Sequence, residues 1–94
     1  MKIELHKKAE EDINRFPDPI KDKIKSKLKQ LKQENAKHEN SKIININQKQ
    51  VFRYKIKNKT LDHRAIYDIK QEKIIIYTIF HRDKGYQKKI ARRF

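Results

Sequence analysis

Five residues in the second half of the chain have types and spacings suited to work on a phosphodiester: Lys55, Lys57, Arg64, Arg82 and Tyr86. Residues two apart on a strand project from one face, so Lys55 and Lys57, with Arg53 beside them, set cations side by side. A lysine crowded by like charges has its pKa lowered and becomes able to take a proton. Arginine donates paired hydrogen bonds to phosphate oxygens, and tyrosine can stack on a base or polarise a hydroxyl. RNA cleavage by its own 2′-hydroxyl asks for these services. One proton is removed from the attacking oxygen, one is given to the departing 5′-oxygen, and the charge gathering on the phosphoryl oxygens is stabilised. Arg53 and Lys84 are further candidates for contact with RNA, and His63 and His81 are secondary candidates for proton transfer. Plainer readings stand beside these. Lys55 and Lys57 alternating with Tyr54 and Ile56 is also what any solvent-facing sheet surface looks like. Arg64 has Asp62 and Asp68 nearby as ion-pair partners, and a histidine on an apolar strand is more often packed than catalytic.

The elements that must position this set follow from periodicity. Val51 to Lys57 alternates, with Phe52, Tyr54 and Ile56 on one face and Arg53, Lys55 and Lys57 on the other. Asn58 to Asp62 reads as a turn, His63 to Lys70 as the next strand, Gln71-Glu72 as a tight connection and Lys73 to Phe80 as a third strand. This last strand is apolar on both sides, which suits a central, doubly covered position. Upstream, Met1 to Leu5 alternates as a strand, and Ala9, Ile13 and Phe16 recur at helical spacing over Lys7 to Phe16. Pro17 ends that helix. Asp18 as N-cap and Pro19 at the first helical position restart a second. Ile20, Ile24, Leu28 and Leu31 give this second helix its apolar face as far as about Glu34. Its lysines form the wet side of an amphipathic helix. Asn35 to Gln50 is the least structured stretch, with an apolar core, Ile43 to Ile46, long enough only for a brief strand. Tyr86, Ile90 and Phe94 are spaced for a short terminal helix. The expected fold is α+β in the order β-α-α-β-β-β, a small mainly antiparallel sheet with two helices on one face, the other face open, in one domain over residues 1–94.

Composition narrows the function. The 94 residues carry a net charge of +14. Lysine, isoleucine and asparagine are all abundant, as AT-rich coding alone would produce, so distribution says more than total. Residues 1–47 hold 12 basic and 8 acidic residues, whereas residues 48–94 hold 14 and 4. Five of the six arginines lie in the second half, and arginine is not favoured by AT-rich coding. The asymmetry marks a surface for a polyanion. No cysteine is present, which fits a reducing cytosol and excludes thiolate metal sites. A single glycine leaves no phosphate-cradling loop, and the four histidines lack ligand spacing. No apolar run approaches the length of a bilayer span, and MKIELHKKAEED lacks the apolar stretch of a signal peptide. A cytoplasmic location, with no metal and no cofactor, is expected.

The chain resembles the RelE/ParE superfamily, the toxins of type II toxin–antitoxin systems. The resemblance runs from KIELHKKAEEDINRF through the proline-interrupted helix pair and is sharpest in YKIK at 54–57, HRAIYDI at 63–69 with KIIIYTI at 73–79, and HRDKGY at 81–86. It implies the RelE-like microbial RNase fold and two possible activities. RelE-like members are ribosome-dependent endoribonucleases, mRNA interferases that cut mRNA in the A site. ParE-like members are gyrase poisons that have lost the catalytic set. On matching positions, Lys55 and Lys57 correspond to the basic strand pair of the nucleases, Arg64 to the arginine opening the next strand, Arg82 to the arginine after the last strand and Tyr86 to the terminal tyrosine. By that resemblance Lys57 helps activate the 2′-hydroxyl, the arginines stabilise phosphate charge with Arg82 a proton donor, and Tyr86 holds the nucleotide. The glutamate base of the YoeB-like branch has no counterpart, which keeps His63 and His81 open for a histidine-assisted site. The survival of the basic set favours the nuclease, with the gyrase inhibitor and a non-catalytic RNA-binding module as alternatives. The implied partners are an acidic antitoxin encoded nearby, the ribosome and mRNA. The toxin is expected as a monomer when free and a hetero-oligomer with its antitoxin.

Overall fold

The computed structural model describes residues 2–34, 41–57, 59 and 61–82. Strand β1 (Lys2–Leu5) leads into helices α1 (Lys7–Arg15) and α2 (Asp18–Gln33), followed by strands β2 (Ser41–Ile46), β3 (Lys49–Lys57), β4 (Asp62–Lys70) and β5 (Lys73–His81). The five strands form one sheet in the order β1-β5-β4-β3-β2. β1 runs parallel to β5, and the other pairs are antiparallel. The α+β expectation therefore holds, with one more strand than the β-α-α-β-β-β order allowed. The segment expected to be least structured contributes a full edge strand, β2, paired with β3 along its length.

Local chemistry explains the helix boundaries. His6 caps α1 by accepting the Lys8 amide on Nδ1 at 3.2 Å, which satisfies one of the donors a helix start leaves free. Phe16 leaves the helix with extended torsions because Pro17 follows it. The cap of α2 is Pro17 rather than the expected Asp18, and it makes no side-chain bond. Asp18 instead lies in the first turn, where a carboxylate meets the positive end of the helix dipole, and it pairs with Lys21 at 3.6 Å.

Two-residue turns close the β2–β3 and β4–β5 hairpins. All four turn residues, Asn47, Gln48, Gln71 and Glu72, have φ between 51° and 64°, the left-handed torsions that primed hairpin turns require. Only Asn47 belongs to the residue types that adopt them readily.

Both helices pack on one face of the sheet. Ala9 and Ile13 from α1, and Ile24, Leu28 and Leu31 from α2, bury against Tyr54, Ile56, Ala65, Tyr67, Ile74, Ile76 and Ile79. Phe52, Tyr54 and Ile56 thus point towards the helices, as the alternation of β3 predicts. The Tyr54 hydroxyl donates to the Lys27 carbonyl of α2 at 3.2 Å, and burial in this layer pushes its pKa up to about 12. Across the sheet a smaller apolar cluster of Val51, Ile66 and Phe80 is flanked by Ile44 and Ile46. The helix-free face is therefore not polar throughout.

β5 carries an irregularity that sequence patterning did not anticipate. Ile66 pairs with Thr78 but Tyr67 pairs with Ile76, so Tyr77 is an extra residue on β5, the signature of a bulge. Among the described residues no strand continues beside this part of β5 beyond Leu5. Its Ile79 amide donates instead to Asp12 of α1 at 3.0 Å, and the Thr78 hydroxyl donates to the same oxygen at 2.9 Å. Asp12 is buried, and it stands in for the missing strand carbonyl. No described helix is long and apolar enough to cross a membrane.

Candidate functional site

Register decides which candidates meet. Lys55 faces Arg64 across the β3–β4 pair, Lys57 faces Asp62, and Arg53 faces Ile66. Because Tyr54 and Ile56 enter the helix-packed core, Lys55, Lys57 and Arg53 point to the other face. Arg64 shares that face with Phe80 of β5, its neighbour on the other side. Arg82 follows β5 directly, and its backbone amide donates to the Asp62 carbonyl at 2.9 Å, which ties it to the start of β4. Four of the five principal candidates thus lie together on the helix-free side. Tyr86 and Lys84 lie outside the described residues, as does the expected terminal helix.

A carboxylate sits inside the basic set. Asp62 accepts Arg64 Nη1 on Oδ1 at 2.8 Å and Arg82 Nη1 on Oδ2 at 3.3 Å. Arg64 also donates to the His63 carbonyl at 3.1 Å. The bond from Arg64, and behind it that from Arg82, holds the Asp62 carboxyl below its ordinary pKa, since both guanidiniums favour the charged form. The expectation that cations simply crowd one another on this face is corrected here: the cross-strand neighbour of Lys57 is an acid. Of the plain alternatives for Arg64, pairing with Asp62 is the one realised. The side chain of Arg64 is only 10% exposed, whereas that of Arg82 is 60% exposed.

The histidines do not join the lysines. His63 is buried on the opposite, helix-covered face, edge-on to Phe16 with ring centroids 5.0 Å apart. His81 meets the His63 ring edge-on at the same separation. His63 Nδ1 is buried and has no hydrogen-bond partner among the described residues. Burial first, and His81 second, lower the His63 pKa below its ordinary 6.5. This imidazole is a neutral, packed group, and the thickness of the sheet separates it from Lys55 and Arg64.

Sequence reasoning missed Lys42. It pairs with Arg53 across β2–β3, and the same alternation that puts Ile44 and Ile46 with the helix-free cluster puts Lys42 on the basic face. Arg53 Nε, beside it, is buried and has no hydrogen-bond partner among the described residues. Among the described residues no group of three metal-ligating side chains comes together. On the helix side a groove of about 380 Å³ is lined by Ile3, Leu5, Ile13 and Leu28 and edged by Lys25, Lys29 and Lys32.

A two-helix layer on one face of a five-stranded sheet, with arginines and lysines gathered on the other, is the arrangement expected of a RelE/ParE-superfamily toxin. The family model described as "ParE toxin of type II toxin-antitoxin system, parDE" matches residues 3–86, and the chain belongs to that family. No curated protein and no solved structure matches the chain. The family implies a cognate antitoxin as partner.

Proposed function

We propose that this toxin is a ribosome-dependent mRNA endoribonuclease. The observation that carries the reading is the gathering of Lys55, Lys57, Arg64 and Arg82 on one helix-free face, fixed by strand register and by the Asp62 bridge. In the proposed reaction the 2′-oxygen of the RNA attacks the adjacent phosphorus and the bond to the 5′-oxygen breaks, leaving a 2′,3′-cyclic phosphate and a free 5′-hydroxyl. Lys57 assists loss of the 2′-hydroxyl proton. Arg64 and Arg82 stabilise charge on the phosphoryl oxygens, and Arg82, the more exposed of the two, delivers the proton to the leaving oxygen. Tyr86 holds or stacks the nucleotide, and Lys42, Arg53 and Lys84 hold the flanking backbone. His63 and His81 take no part in this scheme, because they belong to the helix-packed layer. Primer-extension mapping of cellular mRNA after brief induction tests the reading. Cuts inside translated frames support it, and intact messages in cells arrested by the toxin sink it.

A second reading is favoured by the family match itself, which is to the ParE toxins. On that reading the protein inhibits DNA gyrase without cutting RNA, and the basic face meets a different polyanionic surface. Supercoiling by purified gyrase in the presence of the toxin separates the two: inhibition with intact mRNA selects the gyrase reading.

On either reading the antitoxin is an acidic segment that folds on binding. Its helix lies in the groove of Ile3, Leu5, Ile13 and Leu28, where Lys25, Lys29 and Lys32 complement its charge.

A further inference from the structure

One carboxylate stands between the two arginines that the proposed reaction needs. The oxygens of Asp62 each accept one guanidinium, Arg64 at 2.8 Å and Arg82 at 3.3 Å. A carboxylate and a phosphodiester both offer two oxygen acceptors, and guanidiniums pair with either. Asp62 therefore fills the position that the oxygens of a bound phosphate would fill. Exposure makes the overlap consequential. A ligand reaches Arg82, 60% exposed, directly from solvent. Arg64, 10% exposed, offers a ligand little surface while the Asp62 carboxylate is bonded to it.

We infer that Asp62 is a specificity-determining residue of this face: its carboxylate occupies the Arg64–Arg82 pair and yields only to an oxyanion that bridges both guanidiniums, such as the phosphodiester of single-stranded RNA. The inference rests on the reading of this face as a phosphate site. An anion that meets Arg82 alone leaves the Arg64–Asp62 bond in place, and one that takes Arg64 alone must break that charge-assisted bond with no gain from the second arginine. An anion that bridges both replaces what it removes, and the freed carboxylate, already 26% exposed, turns to solvent. Chloride and other small anions are thus screened out, while a phosphate held at the right point along the strand is accepted.

The test compares the wild type with Asp62→Asn and Asp68→Asn. Asp68 lies on the same strand, and its loss changes net charge equally, but its carboxylate accepts the Ile69 amide rather than an arginine. Each protein is titrated with a 2′-O-methyl RNA oligonucleotide, which lacks the attacking hydroxyl and cannot be cut, and separately with inorganic phosphate. Arginine Nε–H signals are followed by NMR with both probes. Asp62→Asn should bind the oligonucleotide about tenfold more tightly than the wild type, against about twofold for Asp68→Asn, which only alters the general field. Inorganic phosphate should shift the Arg64 and Arg82 signals of Asp62→Asn at concentrations that leave the wild type unmoved. Adding Arg82→Ala should reduce the gain from Asp62→Asn to that of Asp68→Asn, an effect a merely structural role would not produce. Should Asp62→Asn not fold, Asp62→Ser, smaller and equally neutral, takes its place. Equal gains from the two asparagine variants, or weaker binding by Asp62→Asn, overturn the inference, and so do arginine signals that neither probe moves in any variant. Neither probe requires cleavage. A toxin that leaves mRNA intact but shows the difference keeps the role of Asp62 and loses only the nuclease, whereas equal gains in a toxin that cuts mRNA do the reverse.

Discussion

Arg64 and Arg82 carry the same charge in different surroundings, and the difference assigns them separate tasks. Arg64 is enclosed and bonded to Asp62 and to the His63 carbonyl, so it is a fixed donor. Arg82 shares the same carboxylate through a longer, exposed contact and is free to follow a substrate. On the nuclease reading, Arg82→Ala should therefore lower mRNA cleavage by on the order of 10²–10³, the cost of one preorganised charge stabiliser, while leaving the melting temperature nearly unchanged. Lys57→Ala, also at an exposed position, should cost a similar factor. Cleavage at the wild-type rate in both variants would remove this face from the reaction. His63 makes a separate prediction. Its pKa in the folded chain is depressed, so the unfolded chain binds more protons than the folded one below the ordinary value of 6.5, and stability must fall as pH falls through that region. Above 6.5 the contribution of the neutral imidazole is fully present. Thermal melts from pH 7.5 to pH 5 should show the wild type losing stability faster than His63→Phe, which has nothing to protonate at this site. Parallel curves would mean that His63 accepts its proton without strain.

At the scale of elements, legibility tracked the locality of the signal. The alternation of β3 was plain in Phe52, Tyr54 and Ile56 against Arg53, Lys55 and Lys57 because period two is written in adjacent residues. The same rule, applied to HRAIYDI, separates His63, Ala65 and Tyr67 from Arg64, Ile66 and Asp68, so the face of His63 was available before the structure. β2 was legible only as a brief strand over Ile43 to Ile46 and not as the full edge strand Ser41–Ile46, because its hairpin turn is Asn47-Gln48 rather than a glycine pair and its apolar core is short. The Asp62 bridge was half legible: Arg64 is its near neighbour in sequence, but Arg82 arrives only through the pairing of His63 with His81. Asp12 gave no signal at all, since its role depends on β1 ending where β5 continues. Two stability predictions belong here. Glu72→Gly relieves a left-handed torsion at φ 62° and should raise stability by about 1 kcal/mol, or several degrees in melting temperature for a domain of this size. A lower melting temperature would show that the Glu72 side chain makes contacts outweighing the torsion. Asp12→Ala leaves the Ile79 amide and the Thr78 hydroxyl without their acceptor in a buried place and should cost roughly 2–5 kcal/mol. Unfolding in urea measures this, and a loss under about 1 kcal/mol would mean that water replaces the carboxylate.

The whole molecule is basic on both sides of its sheet, and on the proposed reading this governs how it meets an acidic antitoxin. The surplus positive charge is concentrated in the second half of the sequence, and among the described residues Arg53, Lys55, Lys57 and Arg64 of that half lie on the helix-free face. The helix side adds a second basic region, because the wet face of α2 carries lysines along its length, three of them at the edge of the groove beside Ile3, Leu5, Ile13 and Leu28. An acidic segment approaching from any direction therefore meets an attractive field, and an apolar trough awaits its buried side chains. Such complementarity acts mainly on the rate of encounter. Field and trough predict different salt responses. Exposed charges are screened over about 8 Å at physiological ionic strength, so the association rate with the neighbouring gene product should fall steeply between low and physiological salt. Dissociation, governed by apolar contacts in the trough, should change little. Leu28→Asp tests the trough by placing a like charge against the acidic partner in the middle of its apolar lining. It also removes a buried core residue, so Lys29→Glu, at an exposed position on the rim, is the cleaner variant. Lys29→Glu should slow association several-fold at low salt and much less at high salt. An association rate indifferent to both salt and this reversal, or a neighbouring product that is itself basic, would show that the antitoxin recognises the toxin by shape alone.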